Sequence, residues 1–204
     1  MQKLRNQIPF YLIYSRVVSA LALILLAFTD FAERDFVIAA LILLGLVSDF
    51  FDGFLARKWG ISTEKLRIWD SNVDQVFWVS AIGSIFYLNQ AFVLQWWQWI
   101  VVVVALETGA YFISYFRFRK PVATHSILSK IWIVTLLFFL IDLCILHTSS
   151  WFFWSCVIIG IISRLEIVLI LLLLKKWVTD VPSVIQVSKI NKGISIKKSK
   201  WFNS

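Results

Sequence analysis

Residues 36–55 read FVIAALILLGLVSDFFDGFL, and only Asp49 and Asp52 among these twenty residues carry charge. Twenty predominantly apolar residues are what a helix needs to cross about 30 Å of hydrocarbon. The run is uncharged until its last third, so a spanning helix is expected, with two acids near one end.

Five further stretches have the same character: Ile8–Phe28, Leu66–Leu88, Phe92–Phe116, Lys130–Leu146 and Trp151–Leu174. Over the whole chain of 204 residues, 60% are hydrophobic and 16% charged. A soluble globule of this size could not cover so much apolar surface, because about half its exposed area comes from apolar atoms already. The expected fold is therefore all-α, a polytopic membrane protein with six transmembrane helices. Soluble enzymes, disordered chains and disulfide-rich secreted domains are excluded. Cys144 and Cys156 both lie in apolar runs and read as small core residues. The first run is read as retained, since Arg16 interrupts it and no small-residue cleavage site follows Phe28.

The net charge of +8 has a pattern. Lys and Arg fall at the N-terminus, between spans 2 and 3, between spans 4 and 5, and in the tail. These segments hold 17 of the 20 basic residues. The intervening turns at 29–35, 89–91 and 147–150 carry Arg34 alone. The positive-inside rule then places both termini and the basic segments in the cytoplasm. The excess reads as membrane topology, with no nucleic-acid partner. Trp96, Trp97, Trp99, Trp151 and Trp154 suit an aromatic belt at the opposite interface. Residues 1–177 are read as one catalytic membrane domain. Residues 178–204 are read as a basic cytoplasmic tail suited to anionic lipid, or simply solvated.

Acids within a membrane need a reason. Asp49 and Asp52 share a face of span 2 at i, i+3, and Asp70 and Asp74 share a face of span 3 at i, i+4. A short loop joins the two helices, so four carboxylates are expected to converge at the cytoplasmic boundary. Unneutralised they would repel. Hard divalent cations such as Mg²⁺ or Mn²⁺ prefer oxygen ligands, and two of them can clamp a phosphate. The plainer alternative is salt bridges to Arg57, Lys58, Lys65 and Arg67. Further along, Glu107, Arg164 and Glu166 lie mid-span and are expected to pair or to line a polar cavity.

From Asp49 to Asp74 the chain reads D-F-F-D-G-F-L-A-R, then eight residues, then L-R-I-W-D-S-N-V-D. This closely resembles the signature of the CDP-alcohol phosphatidyltransferase family, D-x2-D-G-x2-A-R-x8-G-x3-D-x3-D. One fixed position departs: Leu66 stands where the family has glycine. The opening segment, with Pro9 and Arg16 at this spacing, also resembles the family's, although Phe10 replaces its usual Asn. The resemblance implies an integral-membrane enzyme that moves a phosphatidyl group from CDP-diacylglycerol to an alcohol and releases CMP. It implies two divalent cations, Mg²⁺ or Mn²⁺, held by Asp49, Asp52, Asp70 and Asp74, with Asp74 also the general base. It implies that Gly53, Ala56 and Arg57 cradle the nucleotide, beside Leu66, whose isobutyl group takes space the glycine would leave. It further implies a possible homodimer in a membrane, the inner or plasma membrane if the source is bacterial, with the active site facing the cytoplasm.

Arg117, His125, Lys130 and Arg164 are the candidates for the acceptor, with a polyol phosphate such as glycerol 3-phosphate or inositol phosphate as the best match. Two other readings compete. A small transporter or cation-binding protein would place its ionisable groups near the midplane and break its helices. A catalytically impaired family member would show its decay first at Leu66.

Overall fold

The computed structural model describes residues 2–61, 64–122, 124, 126–179 and 181–194, with the side chains of 2–7, 57, 64–68 and 71 left aside. Six long helices follow one another: α1 (Gln2–Ala27), α2 (Arg34–Lys58), α3 (Glu64–Leu88), α4 (Gln90–Phe118), α5 (Ile127–Leu146) and α6 (Trp151–Leu173). A 3₁₀ turn (Val184–Gln186) and a short α7 (Val187–Asn191) close the described chain, and no strand occurs among the described residues. All six expected runs are helical, and most of their ends agree to within a turn.

Five of the helices are long and apolar enough to cross a membrane: α1 from Ile8, α2, α4, α5 and α6. α3 is not among them. It is 25 residues long, but Asp70, Asn72, Asp74 and Gln75 dilute its apolar part. Large apolar side chains are exposed along the other helices, among them Leu21, Leu25, Leu44, Leu94, Val104 and Phe116. In water such continuous apolar faces would be a liability, and against lipid they are the expected outer surface.

The chain divides into two compact units, Met1–Phe92 with Leu140–Thr148, and Val93–Phe139 with Ser149–Ser204. In the first unit α1 packs along both α2 and α3, and those two meet each other only sparsely. Ile13 of α1, Ala56 of α2 and Val73 of α3 form the core where the three helices join. Gly45 allows one close approach between α2 and α3. A Cβ there would lie 2.1 Å from Cζ of Phe77, so a larger residue would collide with that buried ring. At the other end of this unit, the C-terminus of α5 is tied down by His147. Its Nε2 lies 3.2 Å from Asp35, and its Nδ1 lies 2.9 Å from Oδ1 of Asn89. Asp35 sits in the first turn of α2, where a negative charge favours the helix dipole.

In the second unit Ala110, Ile167 and Leu171 join α4 to α6. Trp96, Trp99, Phe153 and Trp154 form an aromatic cluster with ring centroids 5.3–5.4 Å apart, consistent with the expected belt. After α6 the chain folds back. Val181 and Val187 are buried against Ile170 and Leu174. Asn191 closes the C-terminus of α6, donating Nδ2–H to the Leu173 carbonyl at 2.9 Å and accepting from the Lys175 N–H at 3.0 Å. These contacts satisfy backbone groups that the end of a helix leaves without partners.

Candidate active site

The four aspartates of the motif come from two helices. The i, i+3 pair Asp49 and Asp52 lies near the C-terminal end of α2, and the i, i+4 pair Asp70 and Asp74 lies in the first turns of α3. The structure brings them together as the sequence implies. One carboxylate oxygen each from Asp49, Asp70 and Asp74 lies within 4.8 Å of the others. Asp52 is the deepest of the four, its side chain 2% exposed against 27–38% for the rest. The cluster therefore has a closed floor and a partly open mouth.

The floor is completed by Arg16 of α1, whose side chain is 1% exposed. Its Nη1 pairs with Asp49 at 3.1 Å and with Asp74. Its Nη2 pairs with Asp52 and with Asp70 at 2.5 Å. One guanidinium thus touches all four acids. Salt bridges to Arg57, Lys58, Lys65 and Arg67 were the plainer alternative. The side chains of Arg57, Lys65 and Arg67 lie outside the described residues, and the described partner is an arginine from a different helix. The signal that could have found it was present, since a lone charge inside an apolar span requires a partner. α2 and α3 were also expected to be neighbours because of their short loop. They are, but largely through α1, which lies along both.

The donor set suits a hard cation. All donors are carboxylate oxygens, three of them close enough to share one ion and none of them soft. A carboxylate carries about four lone-pair sites over two oxygens, so an oxygen held by Arg16 does not exhaust the group.

The other expected site residues are placed as follows. Gly53 is half-buried on α2. Ala56 is 6% exposed and packs among Ile13 and Val73, so a small residue there is also what lets three helices meet. The side chains of Arg57 and Leu66 lie outside the described residues, as does His125. Arg117 donates from Nη2 to the Leu174 carbonyl at 3.1 Å, tying α4 to the end of α6. Lys130 is exposed in the first turn of α5. Arg164 pairs through Nε with Oε2 of Glu107 at 2.6 Å, and its guanidinium lies 4.2 Å over the Trp132 ring. That pairing was one of the two outcomes expected for the mid-span charges. Glu166 accepts from the Val184 N–H at 3.3 Å.

Carboxylates are thus concentrated at one end of long apolar helices, which suits a membrane protein. The family match over residues 6–162 agrees, and this chain belongs to the CDP-alcohol phosphatidyltransferase family. It is thus an integral-membrane enzyme, a transferase of substituted phosphate groups. Comparison with curated proteins and with solved structures gave no match.

Proposed function

We propose that the protein transfers a phosphatidyl group from CDP-diacylglycerol to a small alcohol and releases CMP, in phospholipid synthesis. The observation that carries this reading is the convergence of Asp49, Asp52, Asp70 and Asp74 from two helices of a family member. Asp49, Asp52 and Asp70 hold the first of two divalent cations, and Asp74 completes the second site. Bound Mg²⁺ or Mn²⁺ would offset the charge of the diphosphate and of the departing CMP. Asp74 also takes the proton of the acceptor hydroxyl, a poor nucleophile at pH 7 unless a base lies within hydrogen-bond reach. Gly53 lets the nucleotide approach the α2 backbone closely. Ala56, Arg57 and Leu66 complete the nucleotide side, with Arg57 supplying charge to the phosphates.

The acceptor is a polyol phosphate such as glycerol 3-phosphate or inositol phosphate. Arg117, His125, Lys130 and Arg164 are its candidate partners. Of these, Lys130 and His125 are the better candidates by sequence. α3 supplies a sixth span. The basic loops and both termini face the cytoplasm, as the distribution of Lys and Arg supports. The active site opens on that side, so lipid tails stay in the bilayer while the nucleotide reaches water. Residues 1–177 form the catalytic domain, residues 178–204 a basic cytoplasmic tail, and the enzyme works as a homodimer.

The test is CMP release from CDP-diacylglycerol by purified protein with Mg²⁺ or Mn²⁺ and a panel of acceptors. A polyol phosphate should support release, and chelation should stop it. Asp74→Asn should abolish transfer while nucleotide binding persists. Folded protein that releases no CMP with any acceptor would refute the proposal and favour an impaired member of the family.

A further inference from the structure

We propose that Arg16 is a positioning residue that sets the gap between the two aspartate pairs, so that four carboxylates on two separate helices act as one cation site. The proposal rests on the metal-dependent reading above. Each terminal nitrogen of the guanidinium bridges α2 to α3. Nη1 joins Asp49 of α2 to Asp74 of α3, and Nη2 joins Asp52 of α2 to Asp70 of α3. Nε is buried and makes no hydrogen bond, so the charged head is held through its two outer nitrogens.

This bridge matters because, among the described residues, α2 and α3 are otherwise joined there by the small Ile13, Ala56 and Val73 core and by the loop that connects them. They meet sparsely, and α1 lies along both. Their close approach is Phe77 against Gly45, about one turn behind the aspartates. In front of that contact the two aspartate pairs face each other and repel. A planar fork from the third helix opposes this with fixed geometry. A lysine in its place would keep the charge and lose the fork, since an ammonium is a point donor without two planar arms.

The experiment places spin labels at Phe50→Cys and Val76→Cys, exposed positions on α2 and α3. Cys144 and Cys156 are buried and spared. The label distance is measured in chelator, and Mn²⁺ binding is titrated separately by its electron-spin signal. For Arg16→Lys the distance should grow by about 2 Å, the scale of a helix shift. Mn²⁺ affinity should fall about tenfold to a hundredfold, as when a group that orients metal ligands is lost. An unchanged distance would overturn the proposal. So would Mn²⁺ binding that is equal or tighter, because Arg16 would then be only a cation competing with the metal. If Arg16→Lys does not fold, Arg16→Lys with Asp52→Asn removes one repelling charge and is judged by the same distance. If the parent protein binds no Mn²⁺, the metal-dependent function fails, and the distance measurement still decides the role of Arg16.

Discussion

The pair formed by Glu107 and Arg164 allows its partners to be separated by experiment. Arg164 is 9% exposed in its side chain and Glu107 is 36% exposed, with 2.6 Å between Nε and Oε2. Removing one partner of a fully buried pair costs about 3–5 kcal/mol, because the remaining charge stays buried and unpaired. Glu107→Gln strands the arginine. The Trp132 face, 4.2 Å away, keeps its cation–π contact in both proteins and offsets nothing, but Glu107 is more than a third exposed, so the cost lies below the fully buried range. A net loss of about 2 kcal/mol is therefore expected for Glu107→Gln, which corresponds to a fall in Tm of roughly 4–8 °C for a chain this long. Arg164→Met should cost less, since the glutamate left behind is the less enclosed partner of the two. Glu107→Gln with Arg164→Met leaves no charge to strand, and should recover to within about 1 kcal/mol of the parent. Thermal unfolding of the four proteins in one detergent reads the whole cycle. Losses that simply add in the double variant, or a Glu107→Gln protein as stable as the parent, would refute the argument from a buried pair.

Two other outcomes follow from close contacts. Gly45→Ala puts a Cβ 2.1 Å from the Phe77 ring, and overpacking of this kind costs about 1–3 kcal/mol. Thermal unfolding should show the loss, and adding Phe77→Leu should relieve it. Asn191→Ala removes two hydrogen bonds that close α6, at about 1 kcal/mol for each bond. Trypsin should then cut at Lys189 and Lys192 faster than in the parent, while the remainder of the chain keeps its resistance.

Much of the fold was legible because one physical requirement, the length of an apolar run, governs each long helix. Leu88 and Leu146 end α3 and α5 as the hydropathy implied, and α6 begins at Trp151 as expected. The acids were legible as well, since i, i+3 and i, i+4 spacings place Asp49 with Asp52 and Asp70 with Asp74 regardless of tertiary detail. The partner of those acids was not. Arg16 is 33 residues from Asp49, and no local spacing rule connects them. The order of helices around the site was hidden for the same reason. A short loop makes α2 and α3 sequential, but the side-chain fit of Ile13, Ala56 and Val73 puts α1 along both. The Phe77 contact on Gly45 is likewise a long-range match of shapes that no periodicity reports. Folding of residues 181–191 onto α6 was also hidden, because a short segment of scattered valines and isoleucines after Pro182 has no strong helical pattern.

The two arginines inside spans show how the same chemistry serves different ends. Arg164 meets one acid, Glu107, so the charges of that pair cancel. Arg16 meets four, so acids outnumber the cation among the described side chains. A balanced pair can persist in a membrane without further partners, whereas a cluster richer in acids than in cations favours binding a cation. The surplus is also directional. Asp52 and Arg16 form the closed floor, and Asp49, Asp70 and Asp74 are the more exposed of the described groups. Those three carry the oxygens close enough to share an ion. The aspartate cluster is thus acid-rich and partly open on one side, whereas Glu107 and Arg164 form a pair balanced in itself.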